Sequence, residues 1–126
     1  MPINVNKQIA YWRKGAKTDL QTAKILHEKR RQKEALFFAH LALEKALKAL
    51  VVKATGNFPP WIHDLRRLSL QTGLEYDIQT MQFFAFMNPF SAQGRYPEPD
   101  KKPPSKANVR KILLQTERVV KWLIKQ

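Results

Sequence analysis

The chain has 126 residues, enough for one domain with a single core. Its 23 Lys and Arg stand against 10 Asp and Glu, a net charge of +13 that concerns partners rather than fold and points to a polyanion, most simply nucleic acid. It holds no cysteine, which excludes disulfides, thiol nucleophiles and thiolate metal sites. Residues 1–10 lack the apolar core of a signal peptide, and the longest apolar run breaks at His40, well short of a membrane span. A soluble, cytoplasmic protein with no membrane contact is expected.

The first helix is predicted over about residues 6–29. Ile9, Trp12, Ala16, Leu20, Ala23 and Leu26 repeat at three and four residues and mark its buried stripe, while Lys7, Arg13, Lys14, Lys17 and Lys24 take the other faces. The basic turn Lys29-Arg30-Arg31-Gln32-Lys33 follows. A link this short makes the two helices it joins antiparallel neighbours.

The central helix reads ALFFAHLALEKALKALVVK over residues 35–53. It is apolar nearly all round, the pattern of a helix enclosed by a bundle. One thin polar stripe runs down it, because His40, Glu44 and Lys48 fall at i, i+4 and i+8. That seam reads either as a solvent- or dimer-facing line with i,i+4 support or as one wall of a ligand groove. Thr55-Gly56-Asn57 and Pro59-Pro60 end the helix.

Trp61-Ile62-His63-Asp64-Leu65 is predicted to open a short third helix ending near Gly73, with Asp64 in its first turn. A carboxylate beside His63 would orient and charge the imidazole, which suits phosphate binding or acid–base work. A fourth, aromatic helix is predicted over about residues 77–87 and closed by Asn88-Pro89. Residues 88–104, with five prolines, read as an extended loop. In that loop Arg95-Tyr96-Pro97 places a guanidinium that can fork onto a phosphate beside a ring that can stack on a base. The last helix starts near Ser105 or Asn108. Val109, Ile112, Leu113, Thr116, Val119, Val120 and Leu123 form its inner stripe, and Lys111, Arg118, Lys121 and Lys125 its outer face. The fold class is all-α, an up-and-down bundle of four to five helices forming one domain over residues 1–126.

Catalytic signatures are few. There is no glycine-rich phosphate loop and no G-x-S-x-G elbow, and after His27-Glu28 an arginine, Arg31, stands where a zinc-protease motif needs its second histidine. Neither a metal nor a cofactor is expected. The exposed base of Lys29, Arg30, Arg31 and Lys33, with the last helix, forms the expected nucleic-acid surface.

The central helix FFAHLALEKALKALVV, then PPWIHDLRRL, then RYPEP before a last helix, resembles the HEPN domain family. The resemblance implies a four- or five-helix bundle that dimerises and binds nucleotide or RNA. It also implies a minimal nucleotidyltransferase protein as partner, often in a toxin–antitoxin pair. Many members are metal-independent ribonucleases with an Arg followed, after four to six residues, by a His. None of the arginines here is so followed; after Arg95 the window holds Asp100, Lys101 and Lys102. The resemblance carries over Arg95-Tyr96-Pro97 and His63-Asp64-Leu65 as ligand-binding positions and leaves the catalytic residues unassigned. Binding of nucleotide or RNA is therefore the first expectation. Alternatives are a ribonuclease using His63 or His40 with Arg95, and a non-catalytic helical dimerisation module.

Overall fold

A computed structural model describes residues 3–91 and 104–126. Two long helices, α1 (Val5–Glu28) and α2 (Gln32–Thr55), form an antiparallel hairpin, with α5 (Lys106–Ile124) packed against both. The short helix α3 (Leu65–Leu70) and a 3₁₀ turn over Asn88–Ser91 close the bundle against α2, and the short helix α4 (Ile78–Met87) packs against both of them. The described residues contain no strand, so the all-α bundle expected from periodicity is the observed fold.

Small residues set the α1–α2 contact. Ala16 and Ala23 of α1 and Ala35, Ala39, Ala42 and Ala46 of α2 are all buried, which lets two backbones lie close. Gly15 lies directly under Lys45 of α2: a Cβ there would sit 2.9 Å from that side chain. That lysine crosses the hairpin to the buried Asp19, Nζ to Oδ2, at 2.7 Å. From α5, Val109, Leu113, Thr116, Val120 and Leu123 complete the core as one stripe.

The hairpin turn has a detail the basic run conceals. Arg30 donates its N–H to the His27 carbonyl and Arg31 donates to that of Leu26, the pair of bonds that closes a Schellman motif. The left-handed residue this motif needs, usually glycine, is Arg30 at φ 62°. At the far end of α2, Gly56 takes the same left-handed role at φ 70°.

Three local expectations change. Trp61–Asp64 is not helical: Asp64 is extended, and its carboxylate accepts from the backbone N–H groups of Arg66 and Arg67, so it caps α3 from outside its first turn. Helix α3 stops at Leu70, where Thr72 bonds back to the Ser69 carbonyl before the left-handed Gly73. Asn88-Pro89 does not end the fourth segment either. The chain tightens into the 3₁₀ turn, proline being tolerated at the start of a helical turn, and Phe90 is buried there.

The apolar surface of α2 is covered within one chain by α1, α3, α5 and the 3₁₀ turn. Phe83 and Phe84 likewise enter the chain's own core, leaving Phe86 half exposed. An excess of apolar surface on α2 is thus not a motive for dimerisation. No helix among the described residues is long and apolar enough to cross a membrane.

Candidate functional site

The polar seam of α2 faces inward. His40, Glu44 and Lys48 share one face by their four-residue spacing, yet their exposures are 0%, 4% and 7%. A solvent-facing line is excluded for the single chain; the seam is covered by α1 and by the segment leading into α3.

Glu44 is the hub. Its Oε2 accepts from Lys48 Nζ at 3.0 Å, and its Oε1 is 3.0 Å from His63 Nδ1, which crosses from the segment before α3. Lys48 Nζ also lies 5.4 Å from the centre of the Trp12 ring on α1, within cation–π range. The ammonium therefore has a carboxylate on one side and an aromatic face on the other, which compensates its removal from water. Helix α1, read from sequence only as a core stripe, thus contributes Trp12 to the site.

His40 behaves differently. Its Nδ1 is 3.7 Å from Glu44 Oε1, too far for a hydrogen bond, and neither ring nitrogen has a partner among the described residues. Burial pushes its pKa down to about 4, against the opposing pull of Glu44. The ring is neutral at pH 7, and no ligand reaches it in this packing.

His63 is the surface element of the cluster, with a side chain 61% exposed. Bonding to the Glu44 carboxylate through Nδ1 fixes the ring and leaves Nε2 available to a ligand. A carboxylate-oriented imidazole at a surface can hold a phosphate oxygen or move a proton.

Asp64, next in sequence, serves the fold. Its Oδ1 accepts from Arg66 N–H, Arg67 N–H and the Asn88 amide, while Asn88 Oδ1 accepts from Leu65 N–H. Burial alone would raise its pKa, but these hydrogen bonds carry it below the usual carboxylate value. Asp64→Ala should destabilise the protein by about 2 kcal/mol, the upper end for a lost N-cap, because the link to Asn88 goes with it. Urea denaturation of Asp64→Ala beside Asp64→Ser, which restores the cap acceptor, measures this. Equal losses in both variants would contradict the capping role.

The structure thus joins His40, Glu44, Lys48 and His63 in one cluster and turns Asp64 toward α3. Arg95 and Tyr96 lie outside the described residues. Lys29, Arg30, Arg31 and Lys33 are exposed on the hairpin turn. Among the described residues, shallow grooves run along α5, lined for example by Phe83, Phe86, Lys111 and Ile112, and include no member of the Glu44 cluster.

The fold has close counterparts among solved structures. TT1696 from Thermus thermophilus superposes with a TM-score of 0.81 at 17% identity, covering 94% of this chain and 97% of its own. ST0689, described as an archaeal HEPN homologue, gives 0.71 at 20% identity over 91% of this chain and 93% of its own. None of the curated proteins matches the chain in sequence. The sequence profile of the HEPN domain matches residues 9–126, nearly the whole molecule, and the chain belongs to the HEPN domain family.

Proposed function

We propose that this chain binds RNA or nucleotide and works beside a minimal nucleotidyltransferase in a toxin–antitoxin-type system, as a homodimer. The partner and the dimer come from family likeness. The observation that carries the ligand is His63, braced by Glu44 at 3.0 Å and set three and four residues before the exposed Arg66 and Arg67 on a chain of net charge +13. The two guanidinium groups offer charged donors to phosphate oxygens, and the imidazole adds a hydrogen-bonding edge beside them.

RNA suits the geometry better than a single nucleotide. Arg31, at the start of α2, and Glu44 are thirteen residues apart, about 20 Å along the helix axis. A mononucleotide does not bridge the hairpin turn and His63, whereas a strand of several nucleotides does.

Binding of a labelled single-stranded RNA, followed by fluorescence anisotropy, is expected to fall by orders of magnitude between roughly 50 and 200 mM salt. Arg30→Gly makes a discriminating variant. It places glycine in a left-handed position that costs other residues about 1 kcal/mol, so the fold should gain stability while RNA affinity and the salt slope both fall. Arg30→Ala with Arg31→Ala should weaken binding uniformly across RNA sequences. Unchanged affinity in both variants would remove the hairpin turn from the RNA surface, and no salt-dependent binding by wild type would defeat the proposal.

The bond between Glu44 and His63 favours one second reading, a metal-independent ribonuclease in which Glu44 orients His63 for proton transfer to or from a ribose hydroxyl. His40, buried and neutral, is the weaker candidate for that step. Cleavage of RNA that survives chelator and vanishes in His63→Ala would establish the enzyme over the binder.

A further inference from the structure

Trp61 is 99% exposed, whereas tryptophan is among the side chains most covered on average. It does not hang from a loose tail. Its segment begins at the left-handed Gly56 cap, where Asn57 N–H bonds Thr55 Oγ1, and passes through the buried Pro59 and half-buried Pro60. Two residues after Trp61 the chain is tied to α2 by the His63–Glu44 bond, and one residue later Asp64 caps α3 and holds Asn88. Prolines fix φ on one side and side-chain hydrogen bonds fix the other, so the indole stands on a braced support.

We propose that Trp61 is a stacking platform for an unpaired base of single-stranded RNA, whose phosphates run toward His63 and the guanidinium groups of Arg66 and Arg67. This deepens the RNA-binding reading and rests on it. The surroundings select the ligand. Phe58, 62% exposed, is a second uncovered ring three residues earlier, but the residues that follow toward α3 include His63, Asp64, Arg66 and Arg67, so charge rather than further apolar surface borders the indole on that side. A flat π-face followed within six residues by cationic donors fits a base joined to its phosphates. Residues 61 and 66 are at most about 18 Å apart even along an extended chain, the reach of a short run of nucleotides. A duplex keeps its bases stacked on one another and offers no free face, so the platform selects single strands.

The test uses the full chain and three probes of equal length: single-stranded RNA, the same backbone with abasic positions, and duplex RNA. Trp61→Ala should weaken single-stranded RNA about five- to hundredfold, the range for loss of one stacked base, with an unchanged salt slope because no phosphate contact is lost. Trp61→Phe should recover most of the affinity. Abasic and duplex probes should bind wild type and Trp61→Ala alike. Because Trp61 is fully exposed, the alanine variant should unfold at the wild-type urea midpoint. Wild-type affinity in Trp61→Ala for single-stranded RNA would overturn the platform while leaving RNA binding intact, as would an equal loss on the abasic probe. Failure of wild type to bind any of the three probes at low salt would overturn the RNA-binding reading itself, and the platform with it.

Discussion

Glu44→Ala is expected to cost about 3–5 kcal/mol of folding stability, the range for breaking one side of a buried ion pair. The carboxylate is 4% exposed and is the only acidic partner of Lys48 among the described residues. Without it, an ammonium 7% exposed keeps only the face of Trp12 at 5.4 Å, a contact worth about 2 kcal/mol when desolvated and short of the cost of an unpaired buried charge. Set against the 5–15 kcal/mol total typical of a domain, that is a large fraction. The double replacement Glu44→Leu with Lys48→Met should be close to wild type or more stable, since a matched apolar pair avoids the desolvation of two charges. Urea denaturation of the two single variants and the double variant yields the coupling directly. A Glu44→Ala cost below about 1 kcal/mol would mean that Lys48 escapes to water, contradicting the buried geometry. The double variant also separates fold from function: it should stay folded yet lose RNA affinity, because His63 loses its brace.

The helices are legible in the sequence because burial leaves a periodic mark. Of the α5 stripe predicted from three- and four-residue spacing, Val109, Leu113, Thr116, Val120 and Leu123 are buried and Ile112 and Val119 flank them half-buried, and the small residues Ala16 and Ala23 on α1 are readable as inward positions. The seam at His40, Glu44 and Lys48 is readable as a shared face, since that follows from helical geometry alone. Whether a shared face is covered depends on other parts of the chain. Here the cover is His63, nineteen residues after Glu44, and Trp12, on the preceding helix. No local pattern encodes those two meetings.

Capping chemistry misleads in a different way. Asp64 before Leu65-Arg66-Arg67 is equally consistent with a first-turn residue and an N-cap, and the choice moves the helix start by several residues. The left-handed Arg30 has no signal, because glycine is the residue that ordinarily announces that conformation. Trp61 is the reverse case. It is visible as part of PPWIHDLRRL, but only the fold separates an indole in the core from one at 99% exposure. Such departures from local rules, a strained arginine and an uncovered tryptophan, are where natural chains tend to trade stability for function.

Acid should weaken the fold through His40, and the effect has a definite sign and window. The free chain's histidine titrates near 6.5, whereas His40 in the folded protein is lowered to about 4. Between these values the unfolded chain binds a proton that the native state does not, so stability falls as pH drops from about 6.5 toward 4 and this contribution levels off below. From pH 7 to pH 4.5 the loss attributable to His40 should be about 2–3 kcal/mol. Glu44 on the same helix and His63 and Asp64 from the segment before α3 are the charged or titratable groups that act on it. They remain in His40→Leu, so the difference between the two stability–pH curves isolates the imidazole. That variant also removes two buried ring nitrogens that have no hydrogen-bond partner among the described residues, so at pH 7 its stability should match or exceed wild type. Urea midpoints at half-unit pH intervals should diverge steadily below pH 6.5, with wild type falling faster. A histidine proton-resonance titration should show His40 unchanged down to about pH 5. Parallel stability curves for wild type and His40→Leu would mean that the native ring protonates as readily as the unfolded one, and the buried neutral histidine beside Glu44 would have to be abandoned.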